Sequence, residues 1–471
     1  MSEQWPNASR PSLSAQQTDQ SIDAAADRFR ERFGCAARVV IRAPGRVNLI
    51  GEHTDYNGLP VLPFAIAQSH CLAAADCGQP VIEIANADPQ YGPKAIALDD
   101  LSAFSTAGQW DNYLRAALMG LLDTGLIERE HLSGGLRVAV SSDLPARVGL
   151  SSSSALVVGF ALAALHAHRV QFERLRLAEA LAEAEHYVGT RGGGMDQAVC
   201  LLGQKDHAAR IDFFPLQVEP VSFGEGVEVF LADSGVRVEK SSAGRALFNR
   251  RPIECRLALA LFKKWAASHD RDAPWGKWIG QGHERVRYWG DLVKPPLKLP
   301  HESLLPAIRE ALVQPRYTTA DLIKHLGLGE IELRETYLKM GADEYMPEPS
   351  DGFRLRQRAE HVVAEALRVE QAVAALRERN WGRLGNLISA SHESCRDLYE
   401  ISCPEIERLV TAAAETGALA SRLTGAGFGG CTLHLVGQDS GERFIGEMRR
   451  HLGTTLRLWK VVPSPGAEVE I

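Results

Sequence analysis

The sequence predicts a two-domain protein that mixes helices and strands. Three observations carry that expectation. The chain runs to 471 residues, more than one hydrophobic core usually serves. Short β-branched stretches alternate with longer apolar or amphipathic runs. Prolines and glycines gather near residues 216–225, where Pro215, Pro220 and two glycines interrupt the pattern. This divides the chain into a polar tail (1–20) expected to be disordered, a first domain (21–218) and a second (219–471).

The elements follow in order. Residues 38–43 (RVVIRA) and 81–85 (VIEIA) read as strands, and 136–140 (LRVAV) alternates as a half-buried one. Residues 155–168 are apolar nearly all round, which predicts a buried helix. A second, amphipathic helix is expected over 173–188. Residues 227–233 read as a strand and 354–379 as a long helix. Residues 265–315 hold Trp275, Trp278 and Trp289 among many prolines, an aromatic cluster read as a packed surface excursion with no chemistry assigned.

Composition narrows the function classes. The chain is 45% apolar and 24% charged, as ordinary globular proteins are. A net charge of −7 and the lack of a Lys/Arg-rich run exclude a nucleic acid as main partner. Eight cysteines without a CxxC pair read as free thiols in a reducing compartment. The N-terminus lacks the apolar region of a signal peptide, and the longest apolar stretch is too short for a bilayer. The expectation is a cytoplasmic monomer with no membrane partner.

Chemistry concentrates in four places. Residues 42–63 (RAPGRVNLIGEHTDYNGLPVLP) crowd Arg46, Glu52, His53 and Asp55 into ten residues between apolar segments, a density that packing alone rarely produces. Residues 143–155 (DLPARVGLSSSSA) stand between a strand and a buried helix. The unpaired N–H groups of such a helix start suit a polyphosphate, and the hydroxyls of Ser151, Ser152, Ser153 and Ser154 can donate to phosphate or bind a cation. A serine-rich helix cap is the plain alternative. The Walker A pattern is absent.

Residues 425–430 (GAGFGG) satisfy GxGxxG literally, yet a helix precedes them and a strand follows. A dinucleotide fingerprint needs the opposite order, so a nicotinamide oxidoreductase is set aside. Residues 191–197 (RGGGMDQ) hold Asp196 at the rim of an open turn, and taken alone read as a surface turn. Glu185 follows Leu177 and Leu181 at i+8 and i+4, so it shares the apolar face of its helix and needs a partner there, Mg²⁺ or a basic side chain. Glu52, His53 and Asp55 lack the further His or Cys that would complete a transition-metal site.

These strings together carry a family resemblance. Residues 42–63 closely resemble the first motif of the galactokinases, members of the GHMP family of small-molecule kinases. Residues 143–155 look like the second GHMP motif, SRLTGAGFGGCTLHLV (421–436) like the third, and GGGMDQ like the galactokinase GGMDQ segment. The resemblance spans nearly the whole chain from about Ala25.

It implies an α+β fold of two domains with mixed sheets and the active site in the cleft between them. The implied reaction is ATP- and Mg²⁺-dependent phosphorylation of the anomeric hydroxyl of galactose, giving galactose 1-phosphate and ADP. Asp196 would be the catalytic base, orienting that hydroxyl and taking its proton late, and Arg46 would hold the Asp196 carboxylate and stabilise charge on the phosphoryl group. Glu52, His53, Asp55, Gly194 and Phe248 would bind the sugar. Gly149, Leu150, Ser151, Ser152, Ser153, Ser154, Ala155, Gly425 and Gly427 would bind ATP, with Glu185 and one serine of 151–154, Ser153 first, on Mg²⁺. Trp110 matches an adenine-contacting Trp and reads equally as a core aromatic.

The sugar itself stays open at this level. Residues 187–197, 248–258 and 391–409 look closer to the N-acetylgalactosamine kinase branch, and Phe248 stands where galactokinases often carry Tyr. TDYNG (54–58) is the ordinary galactokinase form. Galactose is expected first, N-acetylgalactosamine second. A non-catalytic sugar and ATP sensor is a further alternative, disfavoured by the presence of Arg46, Asp196 and the uninterrupted GLSSSSA loop.

Overall fold

Two antiparallel-rich sheets share one apolar core, and the loops after their strands meet beside it. The computed structural model describes residues 15–106, 108–189, 192–237, 242–268, 285–295, 297–340 and 344–470, without side chains for 15–19 and 242–245. Residues 1–14 of the expected tail, Arg191, Trp275 and Trp278 lie outside these. Helix α1 (Ala15–Phe33) begins within the stretch expected to be a tail.

The first sheet has the order β12-β1-β2-β5-β3-β4, antiparallel except for the β3–β5 pair. Its strands are β1 (Val39–Asn48), β2 (Pro63–Ala75), β3 (Val81–Asn86), β4 (Lys94–Ala97), β5 (Leu136–Ser142) and β12 (Glu468–Val469). Period-two alternation divides the faces. Val40, Cys71, Ala73 and Ala139 meet Phe29 of α1 on one side. Ile41, Leu72 and Val140 face the main core on the other, with helices α2 (Asp111–Asp123) and α3 (Ser152–Ala167).

Two differences from the sequence reading matter for the site. Strand β1 runs five residues past Ala43, so Arg46 stands on a buried strand rather than in a loop. Pro44 and Gly45 look like breakers, but a register shift between Pro44 and Arg46 absorbs them as a bulge. The amphipathic helix expected over 173–188 ends earlier: α4 (Arg174–Ala184) gives way to a 3₁₀ turn, Glu185–Val188. Helix α5 (Met195–Leu202) follows, and places Asp196 in a helical first turn rather than an open one.

The hairpin of β6 (His207–Asp212) and β7 (Gln217–Ser222) occupies the region expected as a boundary. Pro220 sits within β7 opposite Ala209, tolerated because a two-stranded ribbon leaves edge positions without a partner. The second sheet has the order β11-β8-β10-β9, built from β8 (Val227–Asp233), β9 (Ala420–Leu423), β10 (Cys431–Gly437) and β11 (Leu458–Val461), all antiparallel.

Between β8 and β9 lie α6 (Ser242–Ser268), α7 (His301–Ala311), α8 (Thr319–Leu326), α9 (Leu355–Arg377), α10 (Trp381–Ser394) and α11 (Pro404–Glu415); α12 (Gly441–Leu452) follows β10. Leu231, Leu433 and Leu435 join the first sheet's core. Phe230 and Val436 on the opposite face meet Leu409 of α11 and Phe444 of α12. The helical segment has its own core around Phe262, Trp289, Leu304 and Val362, and Leu59 from the loop after β1 reaches into it. No helix among the described residues is long and apolar enough to cross a membrane.

Candidate functional site

Four segments meet where β1 ends: the loop from Leu49 to Leu62, the turn that opens α3, the glycines before α5, and the loop joining β9 to β10. Arg46 is the centre. It is 5% exposed, and its Nε donates to Asp196 Oδ1 at 2.7 Å while Nη1 donates to the Gly149 carbonyl at 2.6 Å. One guanidinium thus ties the acidic start of α5 to the loop that opens α3. The first-turn N–H groups of α5 add a favourable field at Asp196.

The hydroxyl that meets this pair is that of Ser154, the neighbour of Ser153. Ser154 Oγ donates to Glu185 Oε1 and lies 3.4 Å from Asp196 Oδ2. Each step along a helix turns the side chain by about 100°, and it is the third serine of α3 that faces α5. Ser154 and Glu185 are both buried, whereas Ser153 keeps solvent contact. Glu185 therefore has the inward orientation its spacing implied, on the 3₁₀ turn.

The rest of the α3 turn is backbone-built. Ser151 adopts a left-handed φ of +58° and its buried Oγ lacks a hydrogen-bond partner. Ser152 is held from below by His70 Nε2, 2.9 Å from its carbonyl and 3.0 Å from its hydroxyl. Leu150 and Ala155 are core residues, and the Leu150 carbonyl accepts from the Arg46 amide at 3.2 Å. Gly149 and Gly425, expected to approach a ligand, approach each other: a Cβ on Gly425 would stand 2.6 Å from the Gly149 carbonyl oxygen. Both have positive φ, so each is required by loop-on-loop contact. Gly427 packs against Ile401 in the same way.

The loop from Leu49 to Leu62 divides by partner. Asp55 Oδ2 accepts from the Gly193 amide at 2.9 Å. A Cβ on Gly193 would overlap the Asp55 and Tyr56 backbone, which explains glycine there. Gly194, with φ +99°, caps α5 beside it. Burial, assisted by the nearby Asp196 charge, pushes the Asp55 carboxyl up to about 6. Glu52 lies deeper: Oε1 accepts from the Gly425 amide and Oε2 from Asn48 Nδ2, each at 2.8 Å, with Arg422 3.4 Å from Oε1. Burial raises its pKa and Arg422 opposes that.

His53 is engaged on both ring nitrogens, by the Tyr56 hydroxyl (2.8 Å) and the Ala426 carbonyl (3.1 Å). Burial lowers its pKa to about 3, so the ring is neutral. Phe248 of α6 lies against it, with ring centroids 5.7 Å apart. Trp110 is in the main core, 7% exposed, beside Phe160 of α3 and Tyr91, with an unpartnered Nε1.

Sequence reasoning missed a supporting set. Arg358, His361 and Glu365 recur at i, i+3 and i+7 on one buried face of α9, a signal that was present. His361 Nε2 sits 3.1 Å from the Glu52 carbonyl, and Glu365 accepts from the Gly51 amide at 2.9 Å. Lys294 Nζ donates to the Gly58 carbonyl at 2.8 Å and to the Phe213 carbonyl, while Tyr288 stacks on Phe214 with centroids 4.2 Å apart. This described part of the Trp-rich excursion braces the turn after Asp55, whose carbonyl accepts from the Gly58 amide. Nothing in local sequence announces such long-range contacts.

Three family models match in chain order: a galactokinase galactose-binding signature over residues 27–76, the GHMP kinases N terminal domain over 112–204 and the GHMP kinases C terminal over 372–454. A galactokinase of Dictyostelium discoideum is 32% identical over 87% of this chain and 83% of its own length. One from Roseiflexus sp. is 33% identical over 89% and 88%. The fold matches the crystal structure of Lactococcus lactis galactokinase complexed with galactose, with a TM-score of 0.72, 24% identity and coverage of 94% of this chain and 98% of that one.

Proposed function

Since this chain belongs to the galactokinases of the GHMP kinase family, we propose that the site around Arg46 and Asp196 transfers the γ-phosphoryl group of ATP to the anomeric hydroxyl of galactose. The observation that carries this reading is the 2.7 Å Arg46–Asp196 pair, bonded in turn to the Gly149 carbonyl at the loop that opens α3. A nucleophile placed at Asp196 stands next to a polyphosphate placed on that loop. Phosphoryl transfer passes through a loose transition state that rewards positioning and charge stabilisation.

In the reaction, the hydroxyl oxygen forms the new bond to phosphorus, the bond to the ADP oxygen breaks, and the hydroxyl proton passes to Asp196. Arg46 keeps Asp196 aimed and offsets negative charge gathering on the phosphoryl oxygens. The unpartnered Ser151 hydroxyl and the N-terminal amides of α3 suit phosphate oxygens. Asp55, with Gly193 and Gly194, forms the wall that receives sugar hydroxyls, and Phe248 closes it from α6.

Mg²⁺ fits the residues present. Ser154 and Glu185 offer hard oxygen donors beside Asp196, and Mg²⁺ in such kinases takes one or two carboxylates and completes its shell with phosphates and water. Ser154 and Glu185 would hold it, with Ser153 the neighbouring hydroxyl. When bound it would neutralise charge on the β- and γ-phosphates.

The experiment is coupled ADP release with galactose, N-acetylgalactosamine, glucose, arabinose and mevalonate, for the wild type and Asp196→Ala. Galactose turns over, and Asp196→Ala lowers kcat by about 10²–10⁴ while nucleotide still binds. No turnover with any galacto sugar would overturn the activity, and near-normal turnover in Asp196→Ala would remove that residue from it.

A further inference from the structure

A line of hydrogen bonds, buried at one end and half-buried along the rest, joins four separate segments: Cys255 of α6, Tyr399 in the turn after α10, Tyr56 and His53 of the loop after β1, and Ala426 between β9 and β10. The steps are Cys255 Sγ to Tyr399 Oη at 3.2 Å, Tyr399 Oη to Tyr56 Oη at 2.8 Å, Tyr56 Oη to His53 Nδ1 at 2.8 Å, and His53 Nε2 to the Ala426 carbonyl at 3.1 Å. Cys255 and Tyr399 are fully buried. Each member except the last is both donor and acceptor, so contacts alone leave the direction of the line unset.

The Ala426 carbonyl sets it. A carbonyl oxygen only accepts, so His53 Nε2 must carry the proton. The buried ring is neutral, hence Nδ1 holds a lone pair and Tyr56 must donate to it. The Tyr56 oxygen then accepts from the Tyr399 hydroxyl, and Tyr399 from the Cys255 thiol. Every bond points from α6 toward the glycine-rich loop. Reversal at any one step would leave two hydrogens, or two lone pairs, facing each other.

We propose that Tyr56 and Tyr399 are positioning residues of the kinase: they lock His53 as the Nε2–H tautomer, so that the loop carrying Asp55 is tied to the glycine-rich loop that packs on Gly149. His53 is thereby a strut between the sugar side and the phosphate side, which is why its ring has no nitrogen free for a sugar hydroxyl. Its backbone is held at a left-handed φ of +62°, a conformation uncommon outside glycine and here secured from both ends of the ring. The Phe248 ring rests on the same imidazole, so the strut also supports the wall against which a 2-substituent would press.

The proposal rests on the galactokinase reading for its kinetic consequence but not for its structural one, and the test separates them. Long-range ¹H–¹⁵N spectra of the histidine rings in the full-length protein identify His53 by its loss in His53→Gln. The wild type shows the Nε2–H tautomer from pH 6 to 8. Tyr56→Phe moves the Nδ1 resonance to that of an acceptor without a donor, and Tyr399→Phe moves it less, because a donor one step back only polarises the next bond. An Nδ1–H tautomer in the wild type, or an Nδ1 resonance unmoved by Tyr56→Phe, overturns the proposal whatever the enzyme phosphorylates.

On the kinetic side, Tyr56→Phe and Tyr399→Phe lower kcat/KM for galactose roughly ten-fold, the order expected for a buried partner left unsatisfied. Cys255→Ser retains the line and its activity, whereas Cys255→Ala weakens it. Unchanged kcat/KM in both Phe variants overturns the positioning role even if the tautomer is as described.

Discussion

Asp55 should add stability at acidic pH that is lost at alkaline pH, and removing its charge should abolish that dependence at the expense of sugar binding. Its carboxyl titrates near 3.8 in an unstructured chain and is pushed up to about 6 here. The causes are burial first, then the Asp196 charge, partly offset by the Gly193 and Tyr56 amides. The folded state therefore holds this proton more tightly than the unfolded one. Its stabilising contribution is full below the unfolded value and is lost as pH rises through about 6. A shift of about two units corresponds to roughly 3 kcal/mol at most, and the partial solvent contact of Asp55 reduces that to about 1–2 kcal/mol.

Asp55→Asn keeps the shape and an acceptor for the Gly193 amide but removes the charge. Urea denaturation should show the variant more stable than wild type by about 1–2 kcal/mol at pH 8, with the gap closing below pH 5. Galactose KM should rise roughly ten- to a hundred-fold, because the charged acceptor is gone. The wild-type kcat/KM should fall with one-proton slope below about pH 6. A variant no more stable than wild type at pH 8, or a flat wild-type profile between pH 5 and 7, would refute burial of Asp55 as the cause.

Three further outcomes follow from contacts described above. Gly193→Ala should displace the Asp55–Tyr56 backbone, costing about 1–3 kcal/mol in denaturant titration and raising galactose KM, while Gly192→Ala, whose nearest neighbour is the end of the Glu185 side chain at 3.3 Å, should be milder on both measures. Lys294→Met should leave the Gly58 and Phe213 carbonyls without their donor and raise galactose KM several-fold with ATP KM unchanged; equal changes in both constants would mean a general loss of structure. Phe248→Tyr should shift the ratio of kcat/KM values toward galactose over N-acetylgalactosamine, and an unchanged ratio would remove this position from sugar selection.

Much of the fold was legible because its patterning is local. Strand β8 and the long helix α9 follow directly from apolar periodicity. The order around Gly425 is strand–loop–strand rather than the expected helix–loop–strand, because the short β9 (Ala420–Leu423) intervenes after α11; the loop still opens a strand and not the helix that a dinucleotide fingerprint needs. What escaped was set by neighbours. Pro44 and Gly45 look like a strand end, and only pairing with β2 carries β1 past them to Arg46. The serines of α3 are equivalent as a string, and which of them bonds Glu185 depends on the rotation of α3 relative to that carboxylate. Lys294 meets Gly58 across 236 residues, a distance at which sequence proximity says nothing.

The first motif shows the division most clearly. Its crowd of ionisable groups already announced chemistry, since isolated charges are costly to bury and packing does not gather them. The chemical types at 46, 52, 53, 55 and 196, and with them the family, follow from side-chain identity and local spacing. Their tasks do not. Glu52 and His53 differ from Asp55 in where their acceptors and donors go: to Gly425, Asn48 and Arg422, to Tyr56 and Ala426, and to Gly193 respectively. Those partners come from both halves of the chain. A hydrogen bond is directional and short, so which group it satisfies is decided when the segments close on one another.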